Sequence, residues 1–327
     1  MGELPLTILK MLNYLITKFM PFWIVSCGIV AYLFPSTFLS LERWPGPALA
    51  LIIFLMGLSL PTTQFIAFLK KPKLAFLGIL LKWLLTVSIA VVLALVFFRN
   101  SPELATGIIL AGAVPGGTSA NLYTFMANGT TALSITMSAI DTVIGPFLTP
   151  LVIKAFAGQL IYIAFWPLFF KMVYIVFLPI LAGLLIQWKW GKSVYLVKPL
   201  VAPTSAVALF IIVLATVSSA QQAISLHMSL MPLLVFVVLL QVIGSMAAGY
   251  YVAKLFRFQE GEARAMLFQT GICNTALAAL LAMNYISPLA AIPAVIAVVI
   301  NLTLGSIMAI IFMKHDIKQK STDFNVA

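Results

Sequence analysis

Lys82 is the only charged residue between Lys73 and Arg99, in the middle of the apolar run FLGILLKWLLTV. An ammonium group at the centre of such a run costs about 2.5–3.5 kcal/mol on insertion scales, which marks it as a functional-site candidate. Only one acid is embedded in any comparable run, Asp141 in SITMSAIDTVIGP. The intervals from Ser134 to Ser138 to Asp141 are four and three residues, so the three share one helix face. A paired lysine and aspartate would offset each other's burial. They would also form a proton-coupling device, because buried lysines titrate readily and midplane carboxylates recur in proton relays. The same two residues could instead be a static ion pair, and Lys82 could be the counter-charge of a substrate carboxylate; the residues alone leave all three open.

A second constellation is AGAVPGGTSANLYTFMANG, starting at Ala111. Pro115, Gly116 and Gly117 interrupt an apolar segment, and Thr118, Ser119 and Asn121 follow at once. Backbone freed by such a break cannot face lipid and must be buried in protein or line a wet cavity. The broken ends present positively polarised N–H groups and negatively polarised carbonyls, which suit an anionic substrate and a coupling cation. MLFQTGICNTALAAL repeats the device, with Gly271, Cys273, Asn274 and Thr275 inside another apolar segment. Either break alone is equally a packing kink, but Gly-interrupted segments at matching positions of two halves point to a transporter site.

These elements need a membrane to hold them. Of 327 residues, 63% are hydrophobic and 8% charged, with a mean hydropathy of +1.14, far from a soluble composition. Ten segments are long and apolar enough to span: roughly 17–36, 46–69, 74–98, 104–127, 131–155, 161–188, 199–220, 229–254, 262–286 and 288–313. Lysine and arginine crowd one set of connectors (Lys70, Lys71, Lys73, Lys189, Lys192, Lys254, Arg257) and are sparse on the other (Arg43, Arg99, Lys154). The positive-inside bias then puts both termini in the cytoplasm. The first residues do not read as a cleavable signal peptide, and a bacterial inner (plasma) membrane is the expected location. The fold expected is all-α, with ten transmembrane helices in two five-helix repeats, 1–156 and 157–327. An odd number of spans per repeat makes the repeats inverted, with broken helices four and nine crossing.

VPGGTSANLYTFMANGTTALSITMSAIDT and FQTGICNTALA resemble the fourth, fifth and ninth spans of the bile acid–sodium symporter family, and the resemblance extends over essentially the whole chain. It implies a panel domain, a core domain and sodium-coupled uptake of organic anions, from small hydroxy or oxo acids such as pantoate to bile acids. By resemblance, Asn121, Ser134 and Ser138 match ligands of a first sodium site, while Thr118 and Asn274, with Asn121 beside them, lie at the substrate. The sequence departs from the family at Ala120, at Gln269 (usually glutamate), at Cys273 (usually glutamine) and at Lys82, which falls where a second-site glutamine is expected. Those departures imply that the second sodium site is lost and the first weakened. Sodium at a residual site, or a proton handled by Lys82 and Asp141, is the expected coupling ion.

Other readings fare worse. His227 and His315 lie outside the spans and the cysteines Cys27 and Cys273 are far apart, so neither a serine–histidine–acid set nor a metal cluster is expected, and no enzyme activity or cofactor. A phosphate-binding loop signature is absent, which argues against ATP-driven pumping. The basic charge is topological, and no nucleic-acid or obligatory protein partner is expected. A channel or a substrate-sensing receptor would use similar breaks, but the polar residues concentrate near midplane, as in a carrier. Lys171 is read as snorkelling outward, and Asn301 as an amide bonding across helices.

Overall fold

The computed structural model describes residues 19–59, 72–158, 160–161 and 163–326, with the backbone alone at 72, 192–199 and 318–326. Lys70 and Lys71 lie outside the described residues, as does the side chain of Lys192. Every longer element among the described residues is a helix. In chain order these are α1 (Met20–Leu33), α2 (Pro45–Ser59), α3 (Pro72–Phe98), α4 (Pro102–Gly112), α5 (Thr118–Met126) and α6 (Thr131–Val152). Next come α7 (Phe165–Met172), α8 (Leu178–Leu226), α9 (Met231–Leu255), α10 (Glu260–Gly271), α11 (Thr275–Tyr285) and α12 (Pro288–Val326). Pro45, Pro72, Pro102 and Pro288 open four of them, where a missing N–H costs nothing and the fixed φ suits the first turn.

Six helices of the described residues are long and apolar enough to cross a membrane, and seven if Met20–Leu33 and Pro35–Leu41, bent by 109°, form one span. The other expected spans fall short of that length for visible reasons. Residues 60–69 of the second lie outside the described residues, and the fourth and ninth are each broken into two helices of 9 to 12 residues. Phe76, Leu84, Val96, Phe147, Trp166 and Tyr174 are each more than half exposed, a surface that only lipid would tolerate. The protein is a multi-pass membrane protein.

One connector and the segment after the last span differ from the sequence expectation. The segment between the sixth and seventh spans is helical, so α8 runs on through it with a kink at Trp190 (φ −125°, ψ 34°) ahead of Gly191. The last helix continues past residue 313, since no proline or glycine comes after Gly305 to stop it.

The helices sort into two packed groups. In one, α8 lies along α2 and α1. Gly57 and Gly183 bring α2 and α8 together: a Cβ on Gly57 would meet the Ile180 carbonyl oxygen at 2.6 Å, and one on Gly183 the Phe54 oxygen at 2.4 Å. In the other, α3, α4, α6, α9 and α10 pack with the halves α5 and α11 and with α12 around the two breaks. At one end of this group Arg264 of α10 donates to both carboxylate oxygens of Asp316 (2.7 and 2.8 Å), to Glu260 (3.0 Å) and to the Ala127 carbonyl at the end of α5 (2.7 Å). That fork fixes α5, α10 and α12 to one another.

Candidate substrate and ion-coupling site

The two breaks lie side by side. After α4 ends at Gly112, Pro115 removes a donor and the chain stays extended to Gly117 (φ −80°, ψ 148°), where α5 begins. After α10 ends at Gly271, Asn274 caps α11, its Oδ1 accepting from the Leu277 N–H at 3.1 Å. Gly117 N–H donates to the Ile272 carbonyl at 2.8 Å, and Asn274 N–H donates to the Pro115 carbonyl at 2.7 Å. This short antiparallel bridge between Gly116 and Cys273 satisfies backbone groups that lipid could not. Gly116 has no room for a side chain, since a Cβ would come 2.6 Å from Gln269 Oε1.

Lys82 and Asp141 meet directly under this bridge. Lys82 Nζ is 3.0 Å from Asp141 Oδ2 and donates to the Val114 carbonyl at 2.8 Å, the negative end of broken α4. Asp141 Oδ2 also accepts from Gly116 N–H at 2.6 Å, and Oδ1 from Trp83 Nε1 at 2.5 Å. The ammonium sits 4.3 Å from the Trp83 ring centroid. Both charges are buried, at 1% and 3% side-chain exposure, and three donors to the carboxylate, with the Val114 carbonyl and the Trp83 ring at the ammonium, offset that burial. Sequence reasoning brought these two residues forward but missed Trp83 and the Val114 carbonyl. The position of Trp83, next to Lys82, was the available signal.

Ser134, Ser138 and Asp141 do share one buried face of α6. The serines belong to a different cluster, centred on Gln269 Nε2. That nitrogen has four oxygens around it: Asn121 Oδ1 at 2.9 Å, the Ser134 carbonyl at 2.9 Å, Ser134 Oγ at 2.7 Å and Ser138 Oγ at 2.9 Å. Both serine hydroxyls donate to Asn121 Oδ1, at 2.7 and 3.1 Å, and so keep lone pairs for Gln269. An amide nitrogen has two hydrogens, so the nest offers it two more acceptors than it can use. Four converging oxygens are a hard-cation arrangement, here filled by a polarised N–H₂ group. A sodium ion therefore does not fit beside these residues as they stand: one oxygen set faces the Gln269 amide and the other faces the Lys82 ammonium.

Thr118 and Asn274 face a cavity of about 160 Å³ between the bridge and the layer of α1, α2 and α8. Ser119, Thr275, Asn301 and Ser205 supply further polar groups to its wall, and Met56, Leu209 and Val298 apolar ones. Asn121 does not line it; its side chain turns to the serine nest instead. Cys273 borders the cavity and contributes its carbonyl, which accepts from Asn301 Nδ2 at 3.4 Å. Asn301 thus both lines the cavity and bonds across helices, and its buried Oδ1 has no partner among the described residues. Pockets for drug-sized ligands run from about 300 Å³ upward, so this one suits a small ion in the conformation described.

Residues 46–227 match the family described as "Sodium Bile acid symporter family". The protein of Bacillus subtilis (strain 168) named "Uncharacterized sodium-dependent transporter YocS" is 32% identical over 91% of this chain and 91% of its own length. "Probable sodium/metabolite cotransporter BASS1, chloroplastic" of Arabidopsis thaliana is 29% identical over 91% of this chain and 74% of its own. A BASS2 protein of Oryza sativa subsp. japonica with the same style of name is 27% identical over 94% of this chain and 73% of its own.

Proposed function

Because the chain belongs to the sodium bile acid symporter family, we propose that it moves a small organic anion by alternating access around the paired breaks, with Lys82 and Asp141 standing in for a coupling sodium ion. The family makes it a transporter and not an enzyme; the anion and the coupling are our reading. We place ten spans in two inverted repeats, 1–156 and 157–327, because each repeat contributes one broken helix and the breaks pair antiparallel. Loop charges support cytoplasmic termini and a bacterial plasma membrane.

The observation that carries the coupling is that Asp141 Oδ2 accepts from both Lys82 Nζ and the Gly116 N–H. A proton added to the carboxylate would remove the ion pair and weaken the bond from Gly116 N–H; a proton lost from the ammonium would remove the pair and weaken the bond to the Val114 carbonyl. Such a change in charge has different free energies in the two access states, which is what coupling requires. Thr118, Asn274 and the α5 and α11 N-termini would receive the carboxylate in the small cavity. The class supported is a hydroxy or oxo monocarboxylate, on cavity size.

Sodium symport is the second reading. The relatives' printed names favour it, and so does the serine nest: turning the Gln269 amide over would exchange Nε2 for Oε1 and complete a five-oxygen cage. The test of the transport reading itself is counterflow of labelled small monocarboxylates in proteoliposomes. Asn274→Ala and Thr118→Val are each expected to cut counterflow about tenfold, the worth of one hydrogen bond to a charged group. Flux without counterflow would indicate a channel, and binding without flux a receptor.

A further inference from the structure

Further along α2 and α11 from the small cavity lies a larger one, of about 520 Å³, that no local pattern in the sequence announces. Arg43 and Lys171 line it together with Glu42 and Asn284, and Leu280 and Met283 of α11 form part of its wall. Lys171 is half-buried on α7, a helix whose other residues include Phe165, Trp166, Phe169 and Phe170, and it borders this cavity. A cation on an apolar span that faces a cavity lined by polar groups is a functional-site candidate. Neither Arg43 nor Lys171 has an ion-pair or hydrogen-bond partner among the described residues.

Two helices connect the cavities. Along α11, Ala276 borders the small cavity while Leu280 and Asn284 border the large one, at successive intervals of four on one face. Along α2, Ile53 and Met56 border the small cavity and Gly46 the large one. The interval from residue 46 to residue 53 is about 10 Å of helix. It holds Leu49 and Ile53, which with Leu280 are at most 2% exposed and close the seam where α2 meets α11.

We propose that the Arg43–Lys171 vestibule is a second binding site, at which a small monocarboxylate docks before the seam opens towards the crossover. Two cations against the single acid Glu42 leave one net positive charge, the complement of one carboxylate. Asn284 adds an amide that can read a neighbouring hydroxyl or oxo group. The inference rests on the transport reading for the class of anion, and its test reads binding alone.

The test places Met283→Cys in a Cys27→Ser background, compares labelling by an anionic and a cationic methanethiosulfonate reagent, and subtracts the labelling of the same background without Met283→Cys, where Cys273 is the remaining thiol. Focusing of anions by the vestibule is expected to favour the anionic reagent about tenfold, and pyruvate, acetate or glycolate in excess is expected to slow the labelling. Lys171→Gln and Arg43→Gln should each abolish both effects, while Lys171→Arg should keep them, which separates charge from folding. Equal rates for the two reagents, no protection by any of the three carboxylates, or protection that survives Lys171→Gln would overturn the proposal. A protein that shows protection but no counterflow would sink the transport reading and leave the vestibule standing.

Discussion

Asp141→Asn is expected to destabilise the protein by roughly 3–5 kcal/mol and to abolish transport, the effect of stranding one member of a buried ion pair. The carboxylate accepts from three donors, Lys82 Nζ, the Gly116 N–H and Trp83 Nε1. An amide offers one oxygen in place of two and no charge, so the ammonium loses its counter-charge and at least one of the three donors is left unpaired. Adding Lys82→Met to Asp141→Asn should recover much of the lost stability, because neutralising both partners removes the uncompensated charge. Thermal unfolding midpoints of the parent, both single variants and the double variant in detergent check this as a double-mutant cycle. A single variant as stable as the parent, or strictly additive losses, would mean that the pair is not what holds the bridge. The double variant also separates stability from coupling, since it should fold and yet lose any response to a proton gradient.

The second large effect is a gain. Gln269→Glu is expected to make stability depend on sodium, where the parent's does not. The substitution replaces the N–H₂ group in the nest with a carboxylate oxygen facing Asn121 Oδ1, Ser134 O, Ser134 Oγ and Ser138 Oγ. Without a cation the buried carboxylate faces the Asn121 and Ser134 carbonyl oxygens, with only the two serine hydroxyls able to turn and donate, and the variant should unfold earlier than the parent. With sodium at a hundred times its dissociation constant, binding to the folded state alone adds about 2.7 kcal/mol. The check is thermal unfolding in sodium, potassium and choline chloride at equal ionic strength. Stabilisation of the parent by sodium and not by the other salts would show instead that the Gln269 amide turns over to ligate the ion.

What could be read in the sequence depended on whether a signal was local. The breaks were legible because Pro115, Gly116, Gly117 and Gly271 act on their own backbone. The Ser134–Ser138–Asp141 face was legible because helical periodicity needs no tertiary knowledge. Lys82 and Asp141 were legible as candidate partners because the apolar segments offer a single acid, though Gln269 or a substrate carboxylate was an equal alternative for the lysine. Features that arise from packing were not legible. Whether Asn121 turns to the small cavity or to the serine nest depends on how α5 rotates against α6, and Trp83 reaches Asp141 only through the placement of α3 beside α6. Lys171 shows the limit most clearly. Its place near the start of an apolar segment suited snorkelling, and only the meeting of α2, α7 and α11 makes a cavity for it to border. The Arg264–Asp316 fork joins residues 52 positions apart, beyond the reach of any local pattern.

Uptake of labelled small monocarboxylates into proteoliposomes, with a sodium gradient and a proton gradient imposed separately, bears most directly on whether Lys82 and Asp141 replace the coupling ion. Accumulation driven by the proton gradient and indifferent to sodium, and lost in Lys82→Gln, is the expected result. Accumulation driven by sodium, with no response to the proton gradient and none lost in Lys82→Gln, would contradict it.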